Sequence, residues 1–219
     1  MRTLLCVLLL TLTALACNVD RQPDGTFHVV CWGDSNMEDG WPTGTEVRAC
    51  GLMPSVLPTV GASSGGEYKI LPTRWTNSAQ RGAATVEYPT GVGLPVQRAA
   101  LPADADAVIA AFGTNDAYPF MDLTPQQAIA NLRLADEALR AQGIQLWVAT
   151  APPSRFPEPL QTWQRTFNAL VPQTFCRWVD FTTGFADMLE VDGLHLTPAG
   201  QALRAERMQA ALSDNRDCP

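Results

Sequence analysis

The chain has 219 residues, 46% of them apolar and 17% charged, which suits one domain with a sizeable core. Its formal net charge is -7, and it holds a single lysine, Lys69. With no basic patch, nucleic acid and anionic membrane surfaces are poor partners.

Met1-Arg2 supplies a positive start, Leu4 to Ala16 is almost wholly apolar, and Ala14-Leu15-Ala16 is a small-residue cleavage pattern. The run is too short for a comfortable membrane span and has no polar face for a core helix. Residues 1–16 therefore read as a signal peptide. The protein reads as exported, and its mature part can carry disulfides. Leu15-Ala16-Cys17 resembles a bacterial lipoprotein processing site, although Ala14 stands where a larger aliphatic residue is usual. Simple cleavage after Ala16 fits equally well. Removing Cys6 with the signal leaves Cys17, Cys31, Cys50, Cys176 and Cys218, and lipidating Cys17 would leave an even number. Parity thus favours a lipid anchor at Cys17, the only link to a membrane. The expected location is periplasmic or outer-membrane, with secretion as the alternative. Residues 17–25 read as a polar linker and 26–219 as the folded domain.

Phe27-His28-Val29-Val30-Cys31-Trp32 is brief, β-branched and aromatic, and reads as a buried strand. It stops at Gly33-Asp34-Ser35-Asn36. A Ser beside a Gly just past a strand sits where an α/β fold places reactive groups, outside the carboxyl ends of its strands. The stretch from Met37 to Thr73 is irregular, with a short helix expected near Pro54 to Leu57. A second strand is expected over Tyr68 to Leu71, then a turn of small residues, Asn77 to Thr85, holding Gly82. Asp106 to Phe112 reads as a third strand ending in Gly113-Thr114-Asn115-Asp116.

Thr124, Pro125 and Gln127 form an N-cap, a first-turn proline and a capping-box partner. Ala128, Leu132, Ala135 and Leu139 then share one helical face, and Gly143 ends the helix. A fourth strand spans Leu146 to Thr150. A second amphipathic helix brings Leu160, Trp163, Phe167 and Leu170 together, and a fifth strand covers Cys176 to Val179. The last helix starts at Thr197-Pro198 and is expected to bury Ala202, Ala205, Met208 and Leu212. Buried strands alternating with helices imply a parallel sheet covered on both faces. Ser35, Gly82 and Asn115 each follow a strand and land on its carboxyl edge.

The chain has two histidines. His28, inside strand one, reads as a core residue. His195 lies in Asp192-Gly193-Leu194-His195, where the Asp can reach back to Nδ1 and fix the tautomer.

These blocks, in this order, resemble the SGNH (GDSL-type) hydrolase family, from about Phe27 to Leu212. The resemblance implies a three-layer α/β/α flavodoxin-like fold with a five-stranded parallel sheet. It matches Ser35 to the nucleophile, Gly82 and Asn115 to the oxyanion hole with the Ser35 N–H, and Asp192 and His195 to the rest of a triad. Asn36 stands where many members have Leu or Ile, and the block around Gly82 is a loose match. Such a triad needs no metal or other cofactor. Gly61-Ala62-Ser63-Ser64-Gly65 matches a nucleophile elbow, but no helix start follows it, so it reads as a surface loop.

The expected function is an exported serine esterase acting on small acyl esters, O-acetyl groups on saccharides among them. The alternatives are an acyltransferase to a saccharide, a lysophospholipase- or thioesterase-like lipid hydrolase, and a binding module. The intact Ser35, Asn115, Asp192 and His195 argue against the last. Trp41, Trp75, Tyr118 and Phe120 lie in or near site-edge loops as candidate pocket walls. The last helix runs back antiparallel to the fifth strand, so a Cys176–Cys218 bridge is expected, which leaves Cys31–Cys50 by elimination.

Overall fold

The structure, a computed structural model, describes residues 26–38, 49–54, 56–60, 68–87, 91–214 and 218. Residues 1–25, read above as a signal peptide and linker and including Cys17, lie outside the described residues, as do Trp41 and the elbow-like residues 61–65.

Six strands form one sheet: β1 (Phe27–Gly33), β2 (Val56–Val60), β3 (Tyr68–Asn77), β4 (Ala107–Ala111), β5 (Gln145–Ala149) and β6 (Trp178–Val179). Their order is β2-β3-β1-β4-β5-β6. The last five in that order run parallel, as expected. The sixth, β2, pairs antiparallel with β3 and replaces the short helix expected near Pro54 to Leu57. Val56, Thr59 and Val60 are β-branched and favour the pleated strand once a partner is present. The nearby helical turn is a 3-10 turn further back, Ala49–Leu52.

β3 is longer than the expected Tyr68 to Leu71. Its residues 68–72 pair with β2, while Thr73 to Asn77 pair with β1. Pro72 sits at the changeover, where a missing N–H costs least.

Side chains alternate across the sheet. Val29 and Cys31 join a core with Phe181, Phe185, Met208 and Leu212 on one face. Val30 and Trp32 join Leu132, Leu139, Phe167 and Val171 on the other. α4 (Pro198–Ser213) covers the first face; α2 (Pro125–Arg140) and α3 (Glu158–Thr174) cover the second. A short helix that the sequence pattern does not reveal, α1 (Leu94–Ala99), lies beside β1.

The capping box at Thr124 is present, and α2 buries Ala128, Ile129, Leu132, Ala135 and Leu139. In α3 the fully buried stripe is Leu160, Gln164, Phe167 and Val171, with Trp163 and Leu170 only partly buried. In α4, Ala205, Met208 and Leu212 are buried as expected, but Ala202 is exposed and Gln201 and Arg204 are buried instead. The first turns of α4 face the polar turn around Ser35 rather than the apolar core, which selects polar side chains there. Both expected disulfides are present, Cys31–Cys50 and Cys176–Cys218, with Cα–Cα separations of 6.3 and 5.7 Å.

Candidate active site

The carboxyl end of β1 delivers Ser35. Gly33 is needed there because a Cβ would lie 2.6 Å from the Ala111 carbonyl oxygen of β4. After it the chain turns sharply, with the N–H groups of Met37 and Glu38 donating to Asp34 O at 2.9 and 3.0 Å.

Ser35 Oγ lies 2.9 Å from His195 Nε2, and His195 Nδ1 lies 2.5 Å from Asp192 Oδ2. Asp192 Oδ1 also accepts from the N–H groups of Leu194 and His195, at 2.9 and 3.0 Å. Partial burial pulls the Asp192 carboxyl upward. The hydrogen bonds from the imidazole and these two N–H groups outweigh it and hold the group below the usual carboxylate range. The loop is closed by an antiparallel bridge between Leu189 and Leu196, and Thr197 caps α4 directly behind it. Such a line of hydroxyl, imidazole and carboxylate can pass the serine proton to the imidazole while the carboxylate fixes its tautomer.

The second arm comes from two loops. Gln80 N–H donates to Gly33 O at 2.9 Å, which aligns the Gly82 segment with the end of β1. Gly82 has φ 78°, a conformation that favours glycine. Asn115 donates through Nδ2 to Ala83 O at 3.0 Å, so it sits on that same segment with a second amide hydrogen to spare. Among the described residues no protein group accepts from the N–H of Ser35 or Gly82. Asp116 anchors the Asn115 turn, accepting from Thr85 N and Oγ1 at 2.8 and 2.5 Å and from Gly113 N at 3.0 Å. Burial pushes its carboxyl upward more than these donors lower it, and the charge of Asp34 adds to the rise.

Several supporting residues carry no sequence signal. Gln97 of α1 donates from Nε2 to Gly33 O at 2.8 Å and accepts from Gly33 N at 2.9 Å. Gln201 and Arg204 both donate to Asn36 O, at 3.2 and 2.8 Å. The Asn36 side chain accepts from Leu196 N at 3.3 Å. Asn36 therefore joins the Ser35 turn to the end of the His195 loop, which an aliphatic residue there could not do. Asp34, fully buried, is pushed upward by desolvation against the pull of Arg204, the Asn36 N–H and Thr114.

Of the aromatic candidates, Tyr118 follows the Asn115 turn and donates its N–H to Asn115 O at 3.1 Å. Phe120 is 65% exposed beyond it. Trp75 is not at the site edge. It lies in β3 opposite Val29, packs on the α4-side core and donates from Nε1 to Pro54 O at 2.9 Å. His28 is buried and bonded through Nε2 to Thr76 Oγ1 at 2.8 Å, away from Ser35 in its role.

A model of the GDSL-like lipase/acylhydrolase family matches residues 31–203, and the chain belongs to that family. The fold is shared with solved structures. An aryl esterase from M. smegmatis has a TM-score of 0.61 at 19% identity, covering 84% of this chain and 97% of that one. A carbohydrate acetylesterase from Sinorhizobium meliloti gives 0.61 at 17%, covering 84% and 97%. A lipase/acylhydrolase from Enterococcus faecalis gives 0.61 at 14%, covering 88% and 100%. No curated protein sequence matches the chain. Together the family and the fold make this an SGNH-type ester hydrolase.

Proposed function

We propose that the protein is an exported serine esterase that hydrolyses small acyl esters through an acyl-enzyme, O-acetyl groups on saccharides among them. The observation that carries this reading is the unbroken line from Ser35 Oγ through His195 to Asp192, at 2.9 and 2.5 Å. Ser35 Oγ attacks the ester carbonyl while His195 Nε2 takes its proton. The oxyanion is met by the N–H groups of Ser35 and Gly82 and the amide of Asn115, each such donor being worth about 3–4 kcal/mol. The C–O bond to the alcohol then breaks, and His195 returns the proton to the departing oxygen. Water, deprotonated by the same imidazole, attacks the acyl-enzyme, and the carboxylic acid leaves as Ser35 recovers its proton.

Small substrates are supported by the names of two structural neighbours, an aryl esterase and a carbohydrate acetylesterase. Export is supported by the apolar N-terminal segment and by two disulfides, which persist in oxidising compartments. The test is a chain-length series of p-nitrophenyl esters beside a panel of acetylated saccharides, run with the wild type and with Ser35→Ala. Rapid release of acetate that vanishes in Ser35→Ala is the expected result. Activity confined to long acyl chains would overturn the small-ester reading. Acetyl movement to an added saccharide without release to water would replace hydrolysis by transfer.

A further inference from the structure

The departing alcohol must lie beside His195, because His195 Nε2 has to reach both Ser35 Oγ and the leaving oxygen. What adjoins the His195 loop therefore meets the alcohol portion of the substrate. That neighbour is the loop after β5. Arg155 N–H donates to Gly193 O at 2.7 Å, inside the Asp192–His195 turn. The Arg155 stem lies across Gly193, where a Cβ would come within 2.7 Å of its Cβ and 3.1 Å of its Cγ and Cδ. The stem of Arg155, on the loop after β5, thus rests against the turn that holds His195. The side chain is exposed and has no ion-pair partner among the described residues, in a chain where Asp and Glu outnumber Lys and Arg by 22 to 15.

The next residue, Phe156, meets Tyr118 edge to face at 5.2 Å between ring centres. Tyr118 stacks on Phe120 at 5.2 Å and an interplanar angle of 13°. The Asn115 loop is thereby joined to the loop after β5, which abuts the His195 turn through Arg155, by an aromatic shelf ending in the largely exposed ring of Phe120. Tyr118 is itself tied to the Asn115 turn by its N–H, which donates to Asn115 O at 3.1 Å.

We infer that Arg155 and the Tyr118–Phe120 shelf form a subsite for the alcohol portion of the ester, and that the alcohol it takes is a flat-faced ring bearing a carboxylate. A ring face packs on an exposed aromatic face, and a guanidinium forks onto a carboxylate. This inference rests on the esterase reading for its orientation. An aryl acid and a uronic acid share the required chemistry.

The test measures binding to the full chain carrying Ser35→Ala, so that no turnover is required. The probes are 4-acetoxybenzoate against 4-acetoxybenzamide, and an O-acetylated methyl glucuronoside against the matching glucoside. The acid of at least one pair should bind about fivefold more tightly than its neutral partner, as expected for one solvent-screened ion pair. The pair that shows it identifies the source. Arg155→Ala should abolish the preference, Arg155→Lys should keep part of it, and Arg155→Glu should reverse it. Phe120→Ala should weaken both members of that pair by about fivefold while leaving their ratio intact. Equal binding of acid and neutral partner in both pairs, or a preference that survives Arg155→Ala, would overturn the subsite. Hydrolysis of the same compounds by the wild type is measured separately. Its absence alongside an Arg155-dependent preference would overturn the esterase reading instead.

Discussion

Arg204 donates from Nη1 to the backbone carbonyl of Asn36 at 2.8 Å, across 168 residues of sequence, and is itself 1% exposed. Its guanidinium lies over the Phe181 ring at 4.3 Å, and its charge offsets part of the cost of burying Asp34. One side chain of α4 thus fixes the turn that carries Ser35. Arg204→Met keeps the volume and removes the donor. It should cost about 1.5–3 kcal/mol of stability, the usual value of a hydrogen bond to a charged group. It should also lower kcat more than KM, because the substrate meets Ser35 and not Arg204. Urea unfolding and steady-state kinetics check both. An unchanged kcat in a destabilised but folded variant would reduce Arg204 to a packing role.

Gln97 supplies the matching anchor on the other side of β1. Gln97→Leu removes the partner of the buried Gly33 N–H, while Gly33 O retains Gln80 N–H. The cost should be about 1–3 kcal/mol, the desolvation penalty of one unpaired buried donor. Denaturant midpoints for wild type, Gln97→Leu and Gln97→Glu test it. The Glu variant should be the worst of the three, since its carboxylate faces the Gly33 carbonyl.

The triad residues should be graded by role. His195→Ala should bring kcat to near background, because the other histidine is held inside β1 by Thr76. Asp192→Ala should leave measurable activity, since the carboxylate only orients the ring and balances its charge. Asn115→Ala should lower kcat by about 100- to 1000-fold with little change in KM. More activity in a folded His195→Ala variant than in Asp192→Ala would dismantle the assignment.

Two carboxylates should give stability costs of opposite pH slope. Asp192 is held below its ordinary value, so its contribution is present above that value and is lost as pH falls through the lowered one. The cost of Asp192→Asn should therefore shrink in acid. Asp116 is raised, so the folded protein loses stability as pH rises from the ordinary carboxylate value to the raised one. The cost of Asp116→Asn should shrink over that rise instead. Urea unfolding measured on both sides of the ordinary Asp value of about 3.9 follows the two slopes. Parallel slopes for the two variants would contradict these environments.

The disulfides should separate stability from activity. Cys176–Cys218 spans 42 residues, and replacing both with Ser should cost about 4 kcal/mol by chain entropy. Cys31–Cys50 spans 19 residues and should cost about 3 kcal/mol. Only the second should also depress kcat at a temperature where the fold survives. Cys31 lies in β1 just before Gly33, and Ala49 N–H beside Cys50 donates to Gln201 Oε1 at 3.2 Å. Thermal melts and kinetics on the two double variants decide it.

The candidate site was legible wherever its chemistry sits in a few consecutive residues. Gly33 to Ser35, Gly113 to Asn115 and Asp192 to His195 are each one turn, and the hydrogen bonds within each are local. The supporting shell was not legible, because Gln97, Gln201 and Arg204 are isolated polar residues on helices. Their partners lie 64, 165 and 168 residues away, and nothing local marks a buried polar residue from a solvated one. The same blindness placed Ala202 in the core of α4. Pro58 and Pro72 obscured the hairpin of β2 and β3, since a proline argues against a strand until its unpaired side is known.

That hairpin also decides how the sheet ends. An open edge offers a row of free N–H and C=O groups to any passing strand, including one from another copy of the chain. Here β6 closes one end with only two residues, and β2 closes the other with Pro58 at its centre. Among the described residues neither end presents a long uninterrupted run of donors, so the architecture that aligns Ser35 also discourages edge-to-edge pairing with a second copy.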